Sequence, residues 1–162
     1  MTSDGARDFD FLHGRWRIDH RLLKERLAGC EEWEEFSTAL ECRPILGGAG
    51  NLDEGEFPDR GYHAMSLRLY NPDSRQWSLN FANSSSGTVG PPTIGEFKNG
   101  RGEFYDQETL NGRSILVRFI ISDITATSCR FEQAFSDDGG KTWEVNWIAT
   151  DTRTKSADEK AR

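Results

Sequence analysis

The sequence predicts an all-β protein: a single antiparallel up-and-down β-barrel, about nine or ten strands around an internal cavity. Three observations carry this. Apolar residues recur with period two, tight-turn residues interrupt them at short intervals, and little of the chain holds a helical period. The 162 residues are 35% hydrophobic and 29% charged, which suits one globular domain with its own core.

In chain order, residues 1–8 read as an N-terminal arm, 9–153 as the barrel and 154–162 as a flexible polar tail. Asp8 to His13 has room for one helical turn, capped by Asp4 or Asp8. From Trp16 the apolar side reads Trp16, Ile18, His20 and Leu22, against Arg15, Arg17, Asp19 and Arg21. Further strands are read over Glu34–Cys42, Tyr62–Tyr70, Gln76–Asn83 and Thr93–Lys98. The last four are Glu103–Glu108, Arg113–Ser122, Ser128–Phe135 and Trp143–Asp151, with Gly50–Phe57 a tenth if it pairs. Turn signals fall between them: Asn71-Pro72-Asp73-Ser74, Asn99-Gly100, Asn111-Gly112 and Asp138-Gly139-Gly140. Closure into a barrel removes the exposed edges that strands as apolar as Ile115–Ile121 would otherwise offer.

The net charge is −7, with both signs interleaved, which argues against nucleic acid as a partner. The opening MTSDGARDFDFLHG has neither a basic nor an apolar region, so no secretion signal is read. No apolar run approaches a membrane span. Cys30, Cys42 and Cys129 are odd in number and lack C-x-x-C spacing; they read as reduced thiols of a cytoplasmic protein, Cys42 and Cys129 as core packing. The expected state is a monomer or homodimer.

Ser136-x-Asp138-x-Gly140-x-Thr142-Trp143 resembles the Asp-box of sialidase propellers. A propeller needs several boxes and several hundred residues, so one box here reads as a hairpin device. Asp138 would accept backbone N–H groups, Gly140 would take a conformation closed to other residues, and Trp143 would pack under the turn.

The segment FDFLHGRW, Phe9 to Trp16, with Gly14-x-Trp16 at the entry of the first long strand, resembles the start of calycins. The resemblance covers about Phe9 to Arg153 and is nearest to a bacterial lipocalin-like family of uncharacterised function. It implies that Trp16 closes one end of a barrel, with Arg153, after the last strand, stacked on it. It implies a fold more than a function, since calycins include carriers, haem proteins and enzymes.

The common catalytic signatures are missing: there is no G-x-S-x-G, P-loop, H-E-x-x-H or G-x-G-x-x-G. The glycine-rich Ile45–Asn51 stretch reads as a strand bend. His13, His20 and His63 show no ligand spacing, so neither a metal nor any other cofactor is expected. A nitrobindin-like haem site is the weakest alternative, because no histidine follows His63.

Candidate ligand-binding residues are therefore those of the barrel interior. Parity from Trp16 places His20 inside. Arg118 interrupts ILVRFII and needs a partner, for which Glu132 on the next strand is the choice, either within the barrel or as an exposed cross-strand pair. Asn146 and Trp147 alternate, so at most one points inward. His63, Tyr70, Asn83 and Tyr105 add polar tips. The leading expectation is binding of a small, largely apolar or aromatic molecule. The alternative is a cofactor-independent enzyme of cyclase, isomerase or lyase type, with His20, Arg118 and Glu132 as catalytic candidates. A purely structural or interaction module is a third.

Overall fold

Alternation along each strand becomes an inside and an outside once the strands close on themselves. The computed structural model describes residues 5–156, and among them ten strands. These are β1 (Gly14–Leu23), β2 (Trp33–Ile45), β3 (Gly50–Phe57), β4 (Tyr62–Asn71) and β5 (Gln76–Asn83). β6 (Thr93–Lys98), β7 (Arg101–Leu110), β8 (Arg113–Ser122), β9 (Ser128–Ser136) and β10 (Glu144–Ser156) complete the set. Each pairs antiparallel with the next, and β1 returns to β10, with Gly14 opposite Ser156 and Leu22 opposite Trp147. The protein is a closed ten-stranded up-and-down barrel.

β3 pairs with both neighbours, so Gly50–Phe57 is part of the wall. β10 runs past the expected end at Asp151 because Gly14 and Arg15 continue the ladder with Ser156 and Lys155. Residues 154–156 thus belong to the barrel, and 157–162 lie outside the described residues. The glycine-rich bend is a 3-10 turn at Leu46–Gly48 joining β2 to β3. At Gly95 an added Cβ would stand 1.8 Å from the Glu103 carbonyl oxygen, so the close approach of β6 and β7 requires glycine there.

One end of the barrel is plugged by the chain before β1. The expected helical turn is a 3-10 turn at Asp10–Leu12 without a side-chain cap; Asp4 lies outside the described residues. Phe9 is fully buried, with Trp77 at 4.9 Å and Phe97 at 4.8 Å between ring centres. Arg153 stands 4.3 Å over the Trp16 ring and donates to the carbonyls of Phe11, His13 and Ala126. It sits within β10 rather than beyond it, across a bulge from Trp16. The Trp16 indole donates to the Leu12 carbonyl at 2.8 Å, and the Trp77 indole to that of Gly5 at 3.0 Å. Plug and barrel are thereby tied through backbone carbonyls, of which that of Leu12 belongs to a buried residue.

The β9–β10 hairpin is built on Asp138. Its Oδ1 accepts from the Thr142 N–H at 2.9 Å and its Oδ2 from the Thr142 hydroxyl at 2.6 Å, while Ser136 Oγ accepts from the Gly140 N–H at 2.9 Å. Gly139 and Gly140 have φ of 73° and 89°. These bonds, those from the Thr142 side chain first, hold the Asp138 carboxyl down at about 2.

Candidate functional site

The inward side chains leave a cavity of about 300 Å³. Ile18, Leu40, Leu79, Val117, Phe119, Phe131 and Ala149 make its wall apolar. Ser66, Asn80, Thr93, Glu108, Glu132 and Gln133 also line it, but its fully buried polar groups lie at two places, one high on β1 and one just above the plug.

The upper place is His20, 6% exposed, stacked on Phe36 with ring centres 4.6 Å apart. The Trp147 indole N–H donates to its Nδ1 at 3.0 Å, so Nδ1 carries no proton. Nε2 must then hold the hydrogen and donate it to Thr38 Oγ1 at 2.8 Å. Both ring nitrogens are engaged. Burial, opposed by Asp19 and helped to a lesser degree by the Arg60 charge, presses the imidazole down to about 4, so His20 is neutral at physiological pH.

The lower place is a buried polar cluster that sequence reasoning missed. Arg68 of β4 donates to Asp53 Oδ2 at 2.7 Å and to Asn51 Oδ1 at 3.0 Å, both on β3, and lies 5.5 Å over the Phe9 ring. The ion pair is 7% and 8% exposed at its two side chains. Asp151 of β10 joins it, 3% exposed, and lines the cavity together with Asp53 and Arg68. Its Oδ1 has no hydrogen-bond partner in the protein. Burial outweighs the opposing pull of Arg68 and, aided by Asp53, raises this carboxyl to about 8. Burial likewise pushes the Cys42 thiol up to about 12 and the Cys129 thiol further still, so both are inert packing groups.

Of the expected binding residues His20 and Trp147 line the cavity, and so does the catalytic candidate Glu132. Glu132 is salt-bridged to Arg130 at 3.0 Å, not to Arg118. Arg118 faces Tyr105 and Ala134 across the ladder and stacks 4.5 Å over Trp143 of the hairpin, so the expected Arg118–Glu132 pair does not form. Its partner is an aromatic face, supplied by a hairpin distant from ILVRFII in sequence. Tyr105 and His63 are exposed, Tyr105 bonding Glu103, since parity turns both away from the interior. Asn83 accepts from the Ser86 N–H in the turn after β5, and Tyr70 packs on Trp77. Neither lines the cavity. Asn146 and Trp147 do not simply alternate. A bulge between Val145 and Trp147 leaves Asn146 fully buried, accepting from Gln133 of the cavity wall at 2.9 Å, while Trp147 also faces the cavity.

For haem, the imidazole lining the cavity offers no free nitrogen. No metal-holding cluster of His, Cys, Asp and Glu occurs among the described residues, whose helices include none long and apolar enough to cross a membrane.

Fold and cavity together define the class: a closed ten-stranded barrel that encloses a pocket with a polar floor. No protein-family model matches the sequence, and no curated protein resembles it significantly. Among solved structures the chain is similar to a redesigned beta barrel, b11L5F_LGL, at 11% identity and a TM-score of 0.48, over 94% of this chain and 97% of that one. It is similar to EF1p2_mFAP2b bound to DFHBI at 12% identity and a TM-score of 0.47, over 93% and 99%. The S-type phycobiliprotein lyase CPES from Guillardia theta matches at 11% identity and a TM-score of 0.38, over 95% and 92%. At this distance the likenesses do not bear on what the cavity holds.

Proposed function

We propose that this protein binds one small, largely apolar or aromatic molecule inside the barrel. The observation that carries the reading is the cavity of about 300 Å³, with many apolar side chains in its wall and its fully buried polar groups at two places. The engaged state of His20 favours a carrier over a catalyst, because neither nitrogen is free to move a proton. The free cysteines fit a cytoplasmic setting for it.

Ala149, buried on the cavity wall, supplies the test. Ala149→Phe places a ring in the ligand's space. Uptake of an apolar fluorophore by the wild type, read from its emission and from tryptophan quenching, should be lost in this variant while its circular dichroism stays β. Undiminished uptake by a folded variant would refute the reading.

A second reading is an acid catalyst acting on a small-molecule intermediate. Asp151 favours it, as a buried carboxyl poised to hold a proton near neutral pH. Turnover abolished by Asp151→Asn, with binding retained, would establish it.

A further inference from the structure

We propose that the Asp151 carboxyl is the polar anchor of the cavity. Its ligand is then an uncharged molecule with a flat apolar body and one oxygen acceptor, a ketone or aldehyde being the simplest class. This rests on the cavity being a binding site.

The geometry is that of a floor whose charges are already matched. Arg68 is spanned by Asp53 at 2.7 Å and Asn51 at 3.0 Å, so its guanidinium is committed to the protein. Asp151 is a second carboxyl beside one cation. Each buried charge needs its own partner, and a lone one neutralises instead. The titratable groups bearing on Asp151 are Asp53 from β3, Arg68 from β4 and Cys129 from β9. β2 adds Cys42, next to Arg68 and Asp53, and β1 places the apolar Ile18 opposite. None supplies a second positive charge at hydrogen-bond distance, and burial keeps the Asp151 proton on.

A neutral carboxyl is a donor as well as an acceptor. Oδ1, without a protein partner, belongs to a side chain that lines the cavity. A ligand carbonyl placed there would satisfy it. An anion would bring a further negative charge against Asp53, and a cation would meet Arg68. The floor therefore selects on charge as well as on shape.

The probe is propionyl-dimethylaminonaphthalene, a fluorescent aromatic ketone. It is compared with its propyl analogue, which lacks the oxygen, and with the naphthoate, which carries a carboxylate. The ketone should bind about tenfold more tightly than the propyl compound, the scale of one buried hydrogen bond, and its C=O stretch should shift to lower frequency on binding. The naphthoate should bind more weakly than either. Ketone affinity should be level below neutral pH and fall about tenfold, to the level of the propyl compound or below, as Asp151, titrating at about 8, ionises. In Asp151→Asn, which keeps the volume and an N–H donor, ketone binding should persist with no such fall. Equal binding of ketone and propyl compound, or a wild-type affinity level through pH 9.5, would overturn the anchor and leave the cavity reading standing. Tight naphthoate binding would overturn the charge selection. Binding of none of the three would overturn both readings.

Discussion

Acidification tests the His20 arrangement through stability alone. The imidazole titrates at about 4 in the folded protein against 6.5 for an ordinary histidine. Between those values the unfolded chain holds a proton that the native one refuses, so stability rises with pH across the window and is lost as pH falls through it. For one such group, lowering the pH from 7 to 5 removes about 2 kcal/mol, from 1.36 kcal/mol per unit and the two titration curves. His20→Gln keeps a polar side chain but cannot titrate. Urea unfolding followed by tryptophan fluorescence at pH 5, 6 and 7 should then show the wild type losing about 2 kcal/mol more than the variant over that range. Subtracting the variant cancels the carboxylates that titrate in both. NMR of the ring nitrogens should show the Nε2–H form throughout. Parallel pH profiles in the two proteins, or a ring that titrates near 6.5, would refute the reasoning.

The plug makes a separate prediction: Trp16→Ala should destabilise the fold by about 3–5 kcal/mol in urea unfolding, the range for a large buried aromatic. Arg153→Lys should also lower the midpoint, because an ammonium cannot serve three carbonyls and a ring face together. A midpoint equal to wild type in either would show the plug to be passive. Asp138→Ala should lower the thermal midpoint and leave cavity binding unchanged, since the side chain serves the hairpin turn. The contribution of Asp138 should be present above pH 3.8 and disappear as pH falls through about 2. Loss of binding with an unchanged midpoint would contradict that role.

The strands were legible because burial on one face leaves a period of two. β1 is the clearest case: Trp16, Ile18, His20 and Leu22 are all buried, and the arginines between them are exposed. β3 was hard to read for a physical reason. Its Asn51 and Asp53 are buried, so the face that should read apolar reads polar. The strand that blurred the pattern is the one that builds the cavity floor. Arg68 in Leu67-Arg68-Leu69 and Arg118 in Val117-Arg118-Phe119 look alike in sequence; which one is buried depends on register with β3 and on a hairpin ring. Two polar residues two apart in β3, opposite an arginine strand, were the available signal. The bulge at Asn146 left none, because alternation is the rule it breaks.

The seam between β1 and β10 also has a consequence for how the chain acquires its structure. Nine of the ten ladders join neighbours in sequence and can form as successive hairpins, but the tenth joins Gly14 to Ser156 across nearly the whole described chain. That contact carries the largest loop-closure entropy and should set the folding rate. Arg153, which fastens the plug, and Asp151, which completes the floor, both ride on β10, the strand whose pairing with β1 forms last. Until the seam closes, an open ten-stranded sheet would present an exposed interior and two unpaired edges, β1 and β10, the species most exposed to self-association. Sealing the barrel and assembling the pocket are then one kinetic event.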